Sequence, residues 1–249
     1  MGLKEQTDMD SEYRFKGAMS EEYRLIKLAL PHFEELQEQV ASAVAEYQKR
    51  AARSKLDGID VGCGDGVTAH AILNKVPGIH LVCLDNERKM IEQAQDNLSE
   101  AIKTNRCDLV HADALEHFQL MDSQSVDFVS SVLTLHNMER EYRDELHVQI
   151  FRVLARGGLF VNADKYAPQD ENERFKALGT ALKRFFDAYA PLGKLELLRE
   201  WVLHNVADQA PDRCMKEGDT ITILEDVGFN DIRILYRSNM EAVLVAYKP

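Results

Sequence analysis

The chain has 249 residues and a formal net charge of −12, and it is 45% hydrophobic and 29% charged. These values are typical of a globular α/β protein that buries a core without disulfides. The acidic balance makes nucleic acid an unlikely partner, since phosphate backbones are repelled unless a local basic patch compensates. No apolar run approaches the roughly 20 residues of a membrane-spanning helix, so no membrane partner is expected.

The cysteines are scattered and include no CxxC pair: Cys63, Cys83, Cys107 and Cys214. Such spacing indicates free thiols in a reducing compartment, which favours a cytoplasmic protein, and it suggests no metal site. Residues 1–11 are polar and acidic, without the apolar core of a signal peptide, and we expect them to be disordered.

A helical pattern opens the chain. Ser20 is a suitable N-cap for a first helix, and Pro31 breaks or restarts that helix. From Phe33 to Tyr47 apolar residues recur at steps of three and four, which predicts one face of an amphipathic helix. We therefore assign residues 12–53 to an N-terminal helical segment.

Strand and helix patterns then alternate. The predicted strands are Leu56–Val61, Gly78–Leu84, Cys107–His111, Val126–Leu133 and Leu159–Ala163. The predicted helices between them are Val67–Asn74, Glu87–Ile102 and Glu141–Leu154. Alternating apolar strands and helices favour a parallel sheet covered by helices on both faces.

The last third of the chain has a different pattern. Helices are predicted over Asp170–Ala188, Leu195–Val206 and Asp219–Val227, followed by strands over Asp231–Tyr236 and Glu241–Ala246. The two strands lie too close in sequence for a crossover helix, so they should form an antiparallel hairpin. The prediction is one Rossmann-like α/β domain over residues 1–249, with a seven-stranded, mostly parallel sheet and a helical cap insertion at residues 165–215.

A glycine-rich turn, Asp60–Gly66, follows the first strand. Glycines at every second position, between a strand and a helix, bring bare backbone N–H groups close to a ligand. A dinucleotide fingerprint would need a small residue where Val67 stands, and no Gly-Lys-Ser/Thr of a P-loop follows. An NAD-type oxidoreductase remains an alternative only if Val67 is tolerated.

Five motifs in order resemble those of class I S-adenosylmethionine-dependent methyltransferases. They are Asp60–Gly66, Leu84-Asp85, His111–Ala114, Asp127–His136 and Leu154–Phe160. The N-terminal pattern from Tyr23 through Pro31-His32-Phe33-Glu34-Glu35-Leu36 is similar to small bacterial members related to carboxy-S-adenosylmethionine synthase, which serves tRNA wobble-uridine modification.

The resemblance implies S-adenosylmethionine as the cofactor. The residues implied to bind it are Asp60, Gly62, Cys63, Gly64, Gly66, Asp85, Asn86, Met90, Asp113, Ala114 and Ser131. The glycine loop would hold the carboxylate of the cofactor and Asp60 its ammonium, while Asp85 would accept from both ribose hydroxyls. Asn86 and Met90 would flank the adenine, and Asp113 would accept from its amino group.

The acceptor should bind above the strand ends. His136 is the candidate general base. The candidate substrate-binding residues are Tyr23, Asn137, Asp164, Lys165 and Trp201, where Asp164 and Lys165 either contact a polar substrate or pair with each other. A small-molecule acceptor methylated on oxygen or nitrogen is expected, and a homodimer is allowed.

Two further alternatives stay open. One is a non-catalytic module that binds S-adenosylmethionine. The other is methyl or carboxymethyl chemistry related to tRNA modification, for which Arg24 is the candidate cation by position.

Overall fold

The computed structural model describes Met19 and residues 22–249. The predictions for residues 1–11 and for Ser20 lie outside the described residues. A 3-10 turn at Tyr23–Leu25 leads into two helices, α1 (Ile26–Ala29) and α2 (Phe33–Ala51), with Pro31 between them as predicted. The buried side of α2 carries Val40 and Val44, which belong to the predicted apolar face.

Strands and helices then alternate as the sequence predicts. The elements are β1 (Leu56–Val61), α3 (Val67–Lys75), β2 (Ile79–Asp85), α4 (Arg88–Asn97), α5 (Ser99–Lys103), β3 (Cys107–His111), α6 (Ala114–Leu120), β4 (Val126–Val132), α7 (Arg140–Val153) and β5 (Leu154–Lys165). The last third comprises α8 (Glu171–Tyr189), α9 (Leu195–Ala207), α10 (Glu217–Val227), β6 (Asn230–Ser238) and β7 (Glu241–Tyr247).

One seven-stranded sheet runs in the order β3-β2-β1-β4-β5-β7-β6. The first five strands are parallel, and β7 is antiparallel to both β5 and β6. The predicted Rossmann-like fold with its C-terminal hairpin is thereby confirmed. The chain reverses its direction of winding between β1 and β4, which is where ligands bind in open α/β sheets.

Apolar side chains alternate between the two faces of the sheet. Phe128 and Val161 contribute to one core with helices α2, α3, α8 and α9, whereas Val129 and Phe160 contribute to the other with α6, α7 and α10. Helices therefore cover both faces, as expected for strands with apolar side chains on both sides of the sheet.

Three larger differences separate the structure from the sequence prediction, besides shifts of one or two residues at several element ends. The predicted helix Glu87–Ile102 is two helices, because Leu98 leaves the helical conformation at φ −106° and ψ 10°. Helix α6 was not predicted, although Asp113 caps it by accepting from the Glu116 N–H, a start signal that the sequence contains. Strand β5 begins at Leu154, five residues early, and bends at Gly157, where φ is +76°.

Candidate active site

The glycine-rich loop lies between β1 and α3, and each of its three glycines has a positive φ. A Cβ on Gly62 would lie 2.2 Å from the Thr134 side chain, and one on Gly66 would lie 2.9 Å from Leu98. A Cβ on Gly64 would meet no atom of the described residues within 4 Å. Packing thus requires two of the glycines, whereas Gly64 keeps the space above the loop open for a ligand.

Asp60 is buried directly beneath this loop, with 1% of its surface exposed. Its Oδ1 accepts a hydrogen bond from the Ser130 hydroxyl at 2.7 Å, while its Oδ2 accepts none from any described residue. Burial raises the pKa of Asp60 to about 7; the Ser130 hydrogen bond opposes this shift and nearby Asp85 adds to it. Burying an acceptor without a donor costs free energy. The ammonium of an amino-acid ligand would supply the missing donor to Oδ2 of Asp60.

Asp85, at the end of β2, connects that strand to the loop. Its Oδ2 accepts from the Gly64 N–H at 2.9 Å and its Oδ1 from the Glu87 N–H at 2.8 Å. Burial raises the pKa of this carboxyl. A carboxylate has about four lone-pair sites, so Asp85 keeps acceptor capacity for the two hydroxyls of a ribose.

Two other residues implied to bind the cofactor make hydrogen bonds within the fold. Both carboxylate oxygens of Asp113 accept from the Tyr142 hydroxyl, at 2.9 and 2.8 Å, next to Ala114 at the start of α6. Ser131 is fully buried and donates to the Val61 carbonyl at 3.0 Å, so it joins β4 to β1 and has no exposed surface to offer a ligand.

Three further predicted residues line the edge of the same region. Cys63 and Met90 are each 5% exposed, under the loop and in α4. The Asn86 carbonyl lies 3.1 Å from Nε2 of His111, which positions the turn after β2. The structure therefore gathers the predicted cofactor residues around the ends of β1, β2 and β3, with Ser131 turned into the sheet.

His136 and Asp164 form a buried pair beside this region. Nδ1 of His136 lies 2.5 Å from Oδ1 of Asp164, and Oδ2 of Asp164 accepts from the backbone N–H of Leu135 at 2.9 Å. A carboxylate on Nδ1 favours the tautomer with its proton there, which leaves Nε2 as an acceptor. The sequence predicted both residues but not their contact.

Lys165 pairs with Asp208 and not with Asp164. Its Nζ donates to Asp208 Oδ2 at 3.0 Å and to Asn205 Oδ1 at 3.2 Å. Asn137 donates from its side chain to the Leu133 carbonyl at 3.2 Å and so closes the turn after β4. The sequence alternative in which Asp164 and Lys165 pair with each other is therefore not what the fold forms.

A small cleft opens above the strand ends. Its walls come from the N-terminal segment, the ends of β4 and β5, and helices α8 and α9; the lining residues are Tyr23, Ile26, Leu30, Leu133, His136, Lys165, Phe185, Trp201 and His204. Tyr23 and Trp201 were predicted as substrate residues, and both lie here.

The cleft adjoins the glycine loop. Leu133 lines the cleft with an unusual φ of +52°, and the next residue, Thr134, donates to the Gly62 carbonyl at 3.1 Å. Strained backbone of this kind is concentrated at functional sites. A ligand on the loop and a second ligand in the cleft would therefore be neighbours.

Sequence reasoning did not assign Asp208 or His204 to the site. Asp208 follows the last turn of α9 and is 6% exposed, and His204 precedes it by one helical turn. Their i,i+4 spacing was the available signal. Asp208 lies 43 residues after Lys165, so no local sequence pattern predicted the contact between them.

In the part of the chain that the structure describes, every helix is too short or too polar to cross a lipid bilayer.

Comparison with known proteins identifies the domain. Residues 59–158 match a family model described as a methyltransferase domain. Residues 59–158 form a methyltransferase domain. The match supports the S-adenosylmethionine-dependent methyltransferase family predicted from the sequence over the NAD-type alternative.

Relatives of this methyltransferase domain are distant. The carboxy-S-adenosyl-L-methionine synthase of Shewanella baltica is 24% identical over 166 residues, which cover 66% of this chain and 64% of that protein. The chain thus spans slightly less than two thirds of the length of this relative. The match agrees with the narrower resemblance seen at the N-terminus.

Solved structures share the fold of the methyltransferase domain. The magnesium protoporphyrin IX methyltransferase of Synechocystis PCC 6803 with bound S-adenosylhomocysteine has a TM-score of 0.63 at 16% identity, covering 98% of this chain and 100% of that one. A putative O-methyltransferase from Nostoc punctiforme PCC 73102 has a TM-score of 0.62 at 16% identity, covering 90% of this chain and 60% of that one.

Proposed function

We propose that the protein transfers the methyl group of S-adenosylmethionine to a hydroxyl or amino group of a small molecule bound in the cleft. The observation that carries this proposal is the His136–Asp164 pair in the wall of a largely apolar cleft that adjoins the glycine loop. Methyl transfer needs mainly an aligned acceptor and, where that acceptor must lose a proton, a nearby base.

The residues around the glycine loop fit the cofactor. Bound S-adenosylmethionine supplies an activated methyl group on its sulfonium. The N–H groups of Gly62–Gly66 would hold its carboxylate, and the Asp60 Oδ2 would accept from its ammonium. Asp85 would accept from the ribose hydroxyls, and Asp113 and the Ala114 backbone would contact the adenine.

The walls of the cleft favour a small acceptor with an apolar or aromatic body. Trp201 stacks on Phe185 with ring centroids 5.2 Å apart and an interplanar angle of 16°. The net charge of −12 disfavours nucleic acid. Four free cysteines further favour a reducing, cytoplasmic setting.

Residues 165–215 act in this proposal as the cap of a single domain. The cap contacts the N-terminal segment: the Tyr189 hydroxyl donates to the Leu25 carbonyl at 3.1 Å, and Lys194 pairs with Glu22. The Met19 N–H donates to Glu200 at 2.7 Å. The N-terminal segment and the cap are thus joined by direct contacts, so both would influence which acceptor binds in the cleft.

His136 would accept the proton. Asp164 holds the Nδ1–H of the imidazole, so Nε2 is left to take a proton from an acceptor O–H or N–H. Both side chains are buried, which limits competition from water.

Carboxymethyl chemistry is a second candidate, favoured by the similarity to carboxy-S-adenosyl-L-methionine synthases. A carboxylated cofactor would need a cation near the loop. Arg24 lies there, with its Nε 3.8 Å from Asp65 Oδ2. Mass spectrometry of the nucleoside that co-purifies with the protein would separate the carboxylated cofactor from S-adenosylmethionine.

The proposal is tested with purified protein, labelled S-adenosylmethionine and pools of hydroxylated and aminated metabolites. We expect acceptor-dependent formation of S-adenosylhomocysteine and one product heavier by a methylene unit. Tight binding of S-adenosylhomocysteine without turnover on any pool would favour a non-catalytic module. Absence of binding to either nucleoside would contradict the proposal outright.

A further inference from the structure

We propose that His136, His204 and Asp208 form a binding site for one divalent transition-metal ion of the zinc class at the inner end of the cleft. Each of the three side chains is buried and offers one ligand atom, and these atoms all lie within 4.8 Å of one another. Nε2 of His136 is 3.8 Å and Nε2 of His204 is 3.6 Å from Oδ2 of Asp208. No metal site was predicted from the sequence, in which the cysteines lack metal-ligand spacing.

The distances from Asp208 to the two histidine nitrogens are slightly longer than those between ligand atoms in a zinc site. Zinc binds imidazole nitrogen and carboxylate oxygen at about 2.0–2.2 Å, which in a tetrahedral site puts neighbouring ligand atoms about 3.3–3.5 Å apart. The observed separations from Asp208 exceed this by a few tenths of an ångström. Binding an ion would therefore require the three ligand atoms, which lie within 4.8 Å of one another, to draw closer by side-chain rotation.

The surroundings of His136 match those of a metal ligand. Histidines that bind metals usually donate their other ring N–H to a carboxylate, which fixes the tautomer and orients the ring. Asp164 accepts a hydrogen bond from the Nδ1–H of His136 at 2.5 Å and accepts another from the Leu135 N–H. This second carboxylate is an observation independent of the three ligands.

Charged side chains surround the proposed site. Two buried carboxylates, Asp164 and Asp208, lie there together with the Lys165 ammonium at Asp208 and the buried guanidinium of Arg143, which interacts with Asp164. Lys165 competes for Asp208 at 3.0 Å, but Asn205 Oδ1 gives it another acceptor at 3.2 Å. An ion can therefore take Asp208 without leaving the ammonium buried and unpartnered.

The donor set selects the class of ion. Two imidazoles and one carboxylate suit zinc, cobalt, nickel or iron better than magnesium or calcium, which prefer oxygen ligands. Three protein ligands beside an open cleft leave a further position for water or an acceptor hydroxyl, as in catalytic zinc sites. An ion there would lower the pKa of a bound hydroxyl and would occupy Nε2 of His136, so His136 cannot act as the base while the ion is bound. Metal binding is therefore an alternative to the base role of His136 in the proposed methyl transfer, and ion titration tests it without any methyl acceptor.

The test uses the full-length protein after chelator treatment and dialysis. Calorimetric titration with ZnCl2 and visible absorption during titration with CoCl2 should each give one ion per chain. Asp164→Asn should weaken binding by about 10–100-fold, the usual effect of losing an orienting carboxylate. His204→Gln and Asp208→Asn should weaken it by more, since each removes a ligand.

The matched control is His80→Gln, since His80 is a partly exposed histidine beside Asp57 and Asp108 and should leave the affinity unchanged. Lys165→Met should tighten binding, because the competing ammonium is gone, and unfolding cannot produce such a gain. Absence of stoichiometric binding, or unchanged affinity in folded His204→Gln and Asp208→Asn, would overturn the site. If those two variants unfold, the Lys165→Met variant decides: unchanged or weaker binding overturns it.

Discussion

Asp164 accepts a hydrogen bond from Nδ1 of His136 at 2.5 Å, although 28 residues separate them in the chain. The contact exists because β4 and β5 are parallel neighbours, with Val132 paired to Ala163. Asp164 is the next residue of β5, and His136 lies in the 3-10 turn Leu135–Asn137 that follows β4. The pairing of the two strands therefore sets the tautomer of the imidazole and directs its Nε2 to the cleft.

The first prediction concerns this pair. His136→Ala should lower the rate of methyl transfer by about 10²–10⁴-fold, the usual contribution of a general base. Asp164→Asn should lower kcat as well, because the ring loses its orienting acceptor, while binding of S-adenosylhomocysteine stays unchanged. Steady-state kinetics and calorimetry measure the two quantities. The exposed His70→Ala variant is the control, and full activity in Asp164→Asn would contradict the orienting role.

Asp85 should matter for the cofactor more than for the fold. Asp85→Ala should weaken binding of S-adenosylhomocysteine by about 1–3 kcal/mol, since a buried, charged hydrogen-bond acceptor is lost. Calorimetry measures the loss directly. Asp96→Ala, which removes an exposed carboxylate from α4, should change nothing. Equal affinities in the two variants would argue against a ribose contact.

Substitutions of two loop glycines should have different effects: Gly64→Ala should act mainly on cofactor binding and Gly62→Ala mainly on stability. Gly64→Ala adds a methyl group in open space, so it should weaken cofactor binding while costing only about 1–2 kcal/mol of backbone strain at positive φ. Gly62→Ala forces a clash with Thr134 and should lower the melting temperature much more. Thermal unfolding and calorimetry of both variants make the comparison. A Gly64→Ala variant with unchanged affinity would place the ligand elsewhere.

Cofactor binding should depend on pH through Asp60. The pKa of this carboxyl is raised to about 7 in the free protein, and an ammonium ligand needs the ionised form. Affinity should therefore rise with pH, by up to about tenfold per unit, as pH approaches 7 from below.

Two aspartate variants test whether the pH dependence of cofactor binding comes from Asp60. Asp60→Asn should bind more weakly and lose the pH dependence, because no proton has to leave this group. Asp65→Asn, at the other end of the loop, should keep it, although burial also raises the pKa of Asp65. Titration calorimetry at several pH values measures both. A flat profile in the wild type would show that Asp60 does not meet the ammonium.

His147 should make the fold sensitive to acid. Burial, with a smaller effect of Arg143, lowers the pKa of His147 to about 3, and neither ring nitrogen has a hydrogen-bond partner among the described residues. The unfolded chain binds this proton near pH 6.5 but the folded chain does not. Stability from this group is thus fully present above pH about 6.5 and falls as pH decreases towards 3, by up to about 1.4 kcal/mol per unit.

His147→Leu should remove that part of the acid sensitivity. The ring packs against Phe160 at 5.9 Å between centroids, so an apolar replacement suits its surroundings. Denaturant unfolding of both proteins at pH 7 and pH 5 gives the comparison, with the exposed His70→Leu as control. The wild type should lose more stability than His147→Leu between the two pH values, and equal losses would contradict the assignment.

The sequence by itself determined the fold and the cofactor side of the site. Strands β1 and β3 have the predicted bounds, because each is a short segment with apolar residues that is followed closely by a polar or glycine-containing turn. The glycine spacing and the acidic residues Asp60 and Asp85 stand at strand ends, and the order of strands in a doubly wound sheet brings such ends together. Their place around one loop therefore followed from local pattern and topology.

Only the tertiary structure decided the acceptor side. The contact of His136 with Asp164 depends on strand pairing, and the contact of Lys165 with Asp208 depends on how α9 packs over β5. Helix packing at this distance is set by the shapes of many buried side chains, such as the Phe185–Trp201 stack, and leaves no fixed spacing in the sequence. The loop was determined by a local motif, whereas the cleft beside it exists only because three separate segments of the chain meet there.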